Sequence, residues 1–133
     1  MNREIKFRAW HIEEKKMYEV QSLDFFFELA ELQWWTPSDI GETHNRKSVM
    51  LADGITQQKE IELMQYSGLN DKNSKEIYED DIAIKTSMAP GGTDFKGKIV
   101  FMEGCWWIAN ENDAEILFTE VDELEVVGNA YEL

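Results

Sequence analysis

The densest group of side chains that could carry out chemistry lies in residues 62–82, where carboxylates and amides cluster between two strand-like runs. A helix–loop–helix calcium site beginning at Asp71 requires glycine at its sixth position and glutamate at its twelfth. The chain has Glu76 and Ile82 at these positions, so the calcium pattern fails twice. We therefore expect Asp71 and Asn73 to make side-chain-to-backbone turn bonds, and we predict no metal or cofactor.

The other candidates for nucleophilic or metal chemistry are His11, His44 and Cys105. They lie far apart and form none of the spacings typical of zinc sites or hydrolases. We expect Cys105 to be a small buried hydrophobe in a strand and both histidines to lie in solvated loops. The sequence thus predicts no catalytic residue and a protein that is not an enzyme.

Tryptophan is the residue type that suggests binding. Adjacent residues of a strand point to opposite faces, so one member of each tryptophan pair should face the core and the other the surface or a subunit interface. Stacking of nucleic-acid bases on these rings would also require a cationic groove. Near the pair Trp106-Trp107 the only positive charges in the sequence are Lys96 and Lys98. This favours an oligomer interface, and the predicted interaction surface comprises Trp10, Trp34, Trp35, Trp106 and Trp107.

Short elements must position these residues. Alternation over residues 3–10 and a second run at 17–20, joined by a polar segment, predict an amino-terminal β-hairpin. Asp24 could cap a helix over residues 25–33 that ends before Pro37, although Phe25-Phe26-Phe27 and Trp34-Trp35 also suit strands. We interpret residues 36–47 as an exposed loop and Asp53-Gly54 as a turn.

The carboxyl-terminal half reads as strands separated by turns. The runs 96–102 and 105–109 flank Glu103-Gly104 and predict a hairpin with a two-residue turn. Short strands with frequent turn signals favour a small antiparallel barrel from about Leu63 onward. The predicted fold class is mainly β, a β-rich α+β protein: residues 1–62 form the hairpin and a variable insert packed on a barrel of residues 63–133, in a single structural unit.

Composition limits the function classes. The chain of 133 residues has one cysteine, no apolar run long enough to span a bilayer, and no secretion signal, so we expect a reduced, cytoplasmic protein without a membrane partner. Its formal net charge is −14, and neither Lys nor Arg occurs after Lys98. Because nonspecific DNA affinity comes mostly from Lys and Arg, ordinary duplex binding is disfavoured.

Four blocks in order, REIKFRAW (3–10), KMY (16–18), MQYSGLNDKNSKEIYEDDI (64–82) and EVVGNAYE (125–132), resemble the YopX family of phage and prophage proteins. The resemblance implies a mostly β protein with an SH3-like barrel in its carboxyl-terminal part, encoded by a phage or prophage and without a catalytic residue to carry over. The family-motif turn comprises Gly68, Asp71, Asn73, Glu76 and Tyr78.

The chain departs from the family pattern at Ser74 and Asp80, where the family usually has glycine, and at His11 and Ser67, where it usually has Asp and Thr. Ser and Asp adopt positive φ less readily than Gly, so the tight turns are in question. Asn73 is the alternative residue for a left-handed conformation.

These observations predict a non-enzymatic phage accessory protein that acts by protein–protein contact with phage or host proteins, as a homo-oligomer. The alternative is a nucleic-acid-related module. It would bind directly through a positive strip of Arg3, Lys6 and Arg8, or it would use the acidic segment 115–125 to mimic nucleic acid.

Overall fold

The computed structural model describes residues 4–51, 59–88, 90–118 and 122–132. Within these residues every regular element is a β-strand, and the strands form two antiparallel sheets. The chain divides into two compact units. The amino-terminal unit is Lys6–Met64, and the carboxyl-terminal unit begins at Gln65 and includes described residues 4–5. The mainly β prediction is therefore correct.

The amino-terminal unit is built from consecutive antiparallel neighbours. In its sheet the order is β4-β3-β2-β1-β5, and β5 continues into the carboxyl-terminal unit, where β6 pairs with its end. Its core consists of Ala9, Tyr18, Ala30, Leu32, Val49 and Ile61. The strands are β1 (Phe7–His11), β2 (Lys16–Asp24), β3 (Leu29–Ser38), β4 (Gly41–Met50), β5 (Ile61–Asn70) and β6 (Glu76–Tyr78).

The helix predicted over residues 25–33 is wrong. Residues 25–28 form a turn, in which the Asp24 Oδ1 accepts hydrogen bonds from the Phe26 and Phe27 amides at 3.0 and 3.1 Å. This capping chemistry is the same as in the first turn of a helix, but Glu28 then adopts φ 55° and the chain reverses. Strand pairing wins because it buries Ala30 and Leu32 between β2 and β4.

The exposed loop predicted over residues 36–47 is also wrong. β3 and β4 form a long hairpin whose register runs from Leu29 opposite Met50 to Ser38 opposite Gly41. The reversal needs only residues 39–40, after which Gly41 takes φ 121°. The polar composition of this segment suggested a loop. Most of β4 is exposed, so the strand lacks the alternation of apolar and polar residues that predicts a half-buried strand. The predicted turn at Asp53-Gly54 lies outside the described residues.

The carboxyl-terminal unit contains the second sheet, with the order β10-β9-β8-β7-β11. Its strands bury one apolar core, formed by Ile77, Ala83, Ile99, Ile108, Leu117, Leu124 and Val126. Among the described strands β10 and β11 lie at opposite edges, so no closed barrel is seen there. The strands are β7 (Asp81–Ser87), β8 (Phe95–Met102), β9 (Cys105–Ala109), β10 (Ala114–Ile116) and β11 (Asp122–Asn129).

The two-residue turn predicted between β8 and β9 is confirmed. Met102 pairs with Cys105 across Glu103 and Gly104, which adopt φ 53° and 78°. Positive φ at both central residues is the backbone of a type I′ turn, whose twist matches that of paired strands.

Asp71 connects the family-motif turn to β11. Its Oδ1 accepts the amides of Asn73 and Lys75 at 2.8 and 2.9 Å, and its Oδ2 accepts the Val126 amide at 2.9 Å. The side chain is buried, and the neighbouring Lys72 amide bonds to the Leu124 carbonyl at 2.9 Å. The expected turn bond to Asn73 is therefore present, and the same carboxylate also holds a strand far away in the sequence.

Burial raises the pKa of Asp71, but the hydrogen bonds from the Val126, Lys75 and Asn73 amides outweigh it and hold the pKa below its usual range. The charged form is thus the one that the fold stabilises.

Both positions where the family usually has glycine adopt a left-handed backbone. Ser74 has φ 64° and Asp80 has φ 66°. The suggestion that Asn73 takes this conformation instead is wrong. Asp80 gains compensating contacts, because its Oδ2 accepts the Tyr131 hydroxyl at 2.8 Å and Lys98 lies 3.9 Å from its Oδ1.

Lys85 is the buried cation of the carboxyl-terminal unit. Its Nζ donates to the Ile116 carbonyl at 2.8 Å and lies 3.3 Å from Asp122 and 3.5 Å from Glu115. Burying an ammonium group is costly unless it is paired, and these three partners surround it. Through these contacts Lys85 of β7 links β10 to β11. The described strand pairings include no backbone ladder between β10 and β11.

We predict that Asp71→Ala lowers the free energy of unfolding by about 3 kcal/mol, because it leaves buried amides without their charged acceptor. The pKa of Asp71 is lower in the folded than in the unfolded protein. The loss of unfolding free energy in the variant is therefore full above the ordinary pKa of 3.8, and it disappears as the pH falls through the folded pKa. Urea unfolding at pH 7 and at successively lower pH measures it, with exposed Asp94→Ala as the control. Equal urea midpoints for the two variants would contradict this role.

Ser74→Gly should raise the free energy of unfolding by up to about 1 kcal/mol, because glycine relieves the left-handed strain at a modest entropic cost. Asp80→Gly should not stabilise, since it also removes the acceptor of the Tyr131 hydroxyl. Thermal unfolding of the two variants side by side checks this. A lower melting temperature for Ser74→Gly would show that its side chain contributes more than the strain costs.

Candidate interaction surface

The amino-terminal unit carries an open groove of about 520 Å³ where β2 begins and the β3–β4 hairpin extends past it. We call it the Trp35 groove. Its lining includes three aromatic residues and charged residues of both signs, and carboxylates outnumber cations. The lining residues are Lys16, Met17, Tyr18, Glu19, Gln33, Trp34, Trp35 and Glu42.

Trp34 and Trp35 point to opposite faces of β3, as predicted for adjacent residues of a strand. Trp34 packs against the core of the unit, and its ring meets that of Tyr18 edge-to-face at 5.3 Å. Trp35 is 46% exposed and stacks on His44 at 5.0 Å. The His44 Nε2 lies 3.0 Å from the Gln33 Oε1, which fixes the imidazole under the indole.

A polar network supports the aromatic rings from the core side of the sheet. We call it the Glu14 network: Glu14, Tyr18, Lys47 and His11. The Tyr18 hydroxyl donates to the Glu14 Oε1 at 2.7 Å, and Lys47 pairs with the Glu14 Oε2. Lys47 also lies over the Tyr18 ring at 4.7 Å and the Trp34 ring at 5.7 Å, so one cation links the carboxylate to both rings.

The network shifts the ionisation of its members. Hydrogen bonds from Lys47 and then from Tyr18 lower the pKa of Glu14 from 4.5 to about 2. The bond to Glu14 raises the pKa of Tyr18. Burial lowers the pKa of Lys47, but its bond to Glu14 outweighs burial and raises the pKa overall. All three therefore keep their usual charge states at neutral pH, which suits a structural support rather than proton transfer.

His11 completes the Glu14 network and is not in a loop as predicted. It is buried in β1, and its Nδ1 accepts the Glu14 amide at 3.2 Å while its Nε2 lies 3.2 Å from the Glu14 Oε2. The accepting Nδ1 leaves the ring hydrogen on Nε2, directed at the carboxylate. The histidine thus fixes the start of the β1–β2 connection.

A second aromatic feature lies at the other end of β2 and β3. Phe25, Phe26 and Phe27, which we call the Phe turn, are 74%, 86% and 67% exposed. The rings of Phe26 and Phe27 meet edge-to-face at 4.9 Å, and the Leu51 amide bonds to the Glu28 carbonyl at 2.8 Å. Three adjacent exposed phenylalanines are unusual on a protein surface.

The remaining predicted surface tryptophans lie elsewhere. Trp10 is buried in β1 and so does not belong to a surface. In the carboxyl-terminal unit Trp106 packs against the core and meets Phe101 edge-to-face at 5.2 Å. Trp107 is half-buried and donates its Nε1 hydrogen to the Met102 carbonyl at 3.0 Å. Of the five tryptophans, Trp35 is the most exposed.

The candidate chemical residues are spread over three strands. His44 lies in exposed β4 rather than in a loop, and Cys105 is exposed at the start of β9 rather than buried. His11 is engaged with Glu14. Within the described ranges, no three His, Cys, Asp or Glu side chains gather as a metal site. In the same part of the chain, no helix is long and apolar enough to cross a membrane.

In the family-motif turn, Gly68 takes φ 88° where the β5 register shifts, a conformation that favours glycine. Tyr78 stacks obliquely on Tyr66 at 5.4 Å, and its hydroxyl donates to Glu76 at 3.3 Å. Together with the bonds of Asp71, these contacts make the motif a structural junction.

Sequence reasoning missed Tyr18, Lys47, Glu14 and the Phe turn as members of a surface. They come together only through the pairing of β2, β3 and β4, and interpreting residues 36–47 as a loop removed most of β4 from consideration.

The structure defines a class: an all-β protein of two units, whose amino-terminal sheet carries an aromatic groove and whose carboxyl-terminal sheet is held by a buried turn carboxylate. A sequence profile described as YopX protein matches residues 6–133. The chain belongs to the YopX family.

Solved structures show the same fold. Protein EF1440 from Enterococcus faecalis superposes with a TM-score of 0.63 at 24% identity, covering 98% of this chain and 96% of that one. Protein yopX from Bacillus subtilis gives a TM-score of 0.56 at 14% identity, covering 96% and 94%. No curated protein matches the chain. At these sequence identities the structural similarity establishes the fold and does not establish a function.

We predict that Glu14→Gln destabilises the protein at neutral pH, because it weakens the bonds to Lys47 and Tyr18. The folded pKa of about 2 lies below the usual 4.5, so this contribution is complete above pH 4.5 and is lost as the pH falls towards 2. The measurement is the urea midpoint of both proteins at pH 7 and at pH near 2.

Glu13→Gln is the matched control, since it removes the same charge from the adjacent exposed residue. A Glu14→Gln midpoint that equals the Glu13→Gln midpoint at pH 7 would show that the network does not support the sheet.

Proposed function

We propose that the chain is a non-enzymatic accessory protein of a phage or prophage that acts in the host cytoplasm by protein–protein contact, as a homo-oligomer. The observation that supports it is the Trp35 groove, an aromatic surface without reaction chemistry. Tryptophan is enriched in protein interfaces and dominates their hot spots. The exposed Trp35 ring, fixed by His44 beneath it, has the rigidity that such a hot spot needs.

The support beneath the groove strengthens the proposal. On the face of the sheet opposite Trp35, Lys47 pairs with Glu14 and lies over the Tyr18 and Trp34 rings, so these contacts hold the strand that carries Trp35. A preorganised surface loses little conformational entropy when a partner binds, which favours a specific contact.

The test is the solution mass. Sedimentation equilibrium at tens of micromolar should give at least twice the chain mass of 15.6 kDa. Trp35→Ala should raise the dissociation constant at least about tenfold, as loss of a hot spot does. Ile40→Ala, which truncates a fully exposed apolar side chain at the β3–β4 turn, is the control and should change nothing.

A monomeric mass at every concentration would contradict the proposal. So would an oligomer that Trp35→Ala leaves intact, because its contact would then lie elsewhere.

The alternative, a nucleic-acid-related module, has weaker support. Direct binding needs unpaired cations in a strip, whereas several cations here lie beside carboxylates: Lys47 by Glu14, Arg46 by Glu31, Lys72 by Glu125, Lys85 by Asp122 and Lys98 by Asp80. Of the strip proposed from sequence, Arg3 lies outside the described residues. A gel shift at low salt that Arg8→Ala abolishes would revive direct binding, and host proteins that lose affinity when carboxylates in 115–125 are neutralised would support the mimic.

The SH3-like barrel that the family resemblance implies for residues 63–133 also stays a proposal. The five antiparallel strands of the second sheet and their single core are consistent with it. Backbone nuclear Overhauser effects between β10 and β11 would establish closure, and their absence would leave an open sheet.

A further inference from the structure

β4 lies at an edge of the amino-terminal sheet, because among the described strands it pairs only with β3. An edge strand presents backbone N–H and C=O groups that a further strand can bind, and proteins usually interrupt such edges with proline, a β-bulge or a short strand. β4 has ten residues without proline, and its register with β3 continues without a shift. The edge is therefore suited to pairing with another strand.

The hydrogen bonds of the β3–β4 hairpin indicate which residues of β4 direct their backbone groups outward. The Leu51 amide bonds to the Glu28 carbonyl at 2.8 Å, directly after the last pair of the ladder. Antiparallel ladders alternate along a strand, so the odd-numbered residues of β4 bond to β3 and the even-numbered residues direct their N–H and C=O groups away from it. Met50 follows this alternation, since its amide bonds to the Glu60 Oε2 at 2.6 Å. The outward-directed residues before it are Glu42, His44, Arg46 and Ser48.

The outward-directed residues carry opposite charges on the two sides of a histidine. Glu42 and Arg46 are both exposed, and His44 lies midway between them. His44 pairs with Trp35 across the ladder, so all these side chains lie on the Trp35 face of the sheet. The Arg46 Nε lies 3.8 Å from the Glu31 Oε1, and a guanidinium group has donors enough for a second carboxylate. Both charged groups can therefore bind a partner beyond the edge.

The charge order makes this edge complementary to itself. When two identical strands pair antiparallel about a two-fold axis, one position of the strand faces its own copy. With His44 at the axis, Glu42 of each copy lies opposite Arg46 of the other, with about 5 Å between the opposed Cβ atoms. An axis at Arg46 would oppose two guanidinium groups, and an axis at Asn45 would place Arg46 opposite His44. Charge complementarity therefore selects the axis at His44.

The same axis connects the exposed tryptophan to the contact. Each His44 ring stacks on Trp35 of its own chain, with 5.0 Å between the ring centroids. Two His44 side chains that meet at the axis therefore complete a row of four rings across the joined sheets, with Trp35 at each end. The row lies on one face of the sheet, because side chains at opposed positions of paired strands share a face.

We propose that β4 pairs antiparallel with β4 of a second copy, with His44 at the two-fold axis and Glu42 of each copy opposite Arg46 of the other. This inference rests on the proposed homo-oligomeric function and specifies its contact. About six backbone hydrogen bonds form between the copies and join the two amino-terminal sheets into one. A contact of one strand from each copy is smaller than a standard interface, so we expect a dissociation constant in roughly the micromolar range.

The experiment reverses each charge of the pair in the full chain. Glu42→Arg and Arg46→Glu each place like charges opposite one another at both pairs of the dimer. Sedimentation equilibrium should therefore give each variant a dissociation constant about tenfold above that of the native chain. Circular dichroism melting establishes that both variants fold.

The net charge of the chain separates this pairing from general repulsion between copies. At a net charge of −14, Glu42→Arg makes the chain less negative, so general repulsion predicts a tighter dimer, whereas the β4 pairing predicts a weaker one. Glu111→Arg and Lys96→Glu are the matched controls, because they make the same charge changes at exposed positions of the other unit. We expect both controls to stay within about twofold of the native dissociation constant.

Mixing the two reversed variants is the decisive arm. In a mixed dimer both arginines of the Glu42→Arg copy lie opposite both glutamates of the Arg46→Glu copy, so two complementary pairs are restored. The mixture should associate about tenfold more tightly than either variant alone.

The other outcomes overturn the inference in distinguishable ways. If the native chain oligomerises and neither reversal weakens it, the contact is not β4, and the proposed homo-oligomer still stands. A mixture that associates no more tightly than its components refutes the register with His44 at the axis. A native chain that stays monomeric at every concentration refutes the inference together with the proposed function.

Discussion

The register of β2, β3 and β4 is the constraint on which the amino-terminal surface depends. Glu19 lies opposite Gln33, and Leu32 lies opposite Lys47. Because side chains alternate along a strand, a slip of one residue would move every ring to the other face. In the observed register Lys47 reaches Tyr18 and Trp34 on the core side, while Trp35 keeps the exposed side.

The carboxyl-terminal unit depends in a similar way on one carboxylate. Asp71 accepts amides from its own turn and from Val126, so it fixes β11 to a segment more than fifty residues earlier. Hydrogen bonds from backbone amides to the Asp71 carboxylate therefore explain the presence of this residue in the family-motif turn. The two units thus differ in character, because one carries a structural junction and the other carries the exposed aromatic residues.

Sequence alone could predict what depends on local chemistry. The Glu103-Gly104 turn, the alternation of the tryptophan pairs and the turn bond from Asp71 all follow from side-chain period or from turn residues, and the structure contains each of them. The helix over 25–33 failed because an aspartate caps a tight turn as readily as a helix. The surface could not be predicted, since Tyr18 and Lys47 meet only across three strands.

The central proposal is that Trp35 and the groove beside it in the amino-terminal sheet form a contact between copies of this chain. Isotope-filtered NMR on an equal mixture of labelled and unlabelled protein tests it most directly, because it detects only contacts between copies. We predict intermolecular Overhauser effects that involve the indole protons of Trp35. Intermolecular effects that do not involve Trp35, or none at a concentration where the mass exceeds that of one chain, would contradict this proposal.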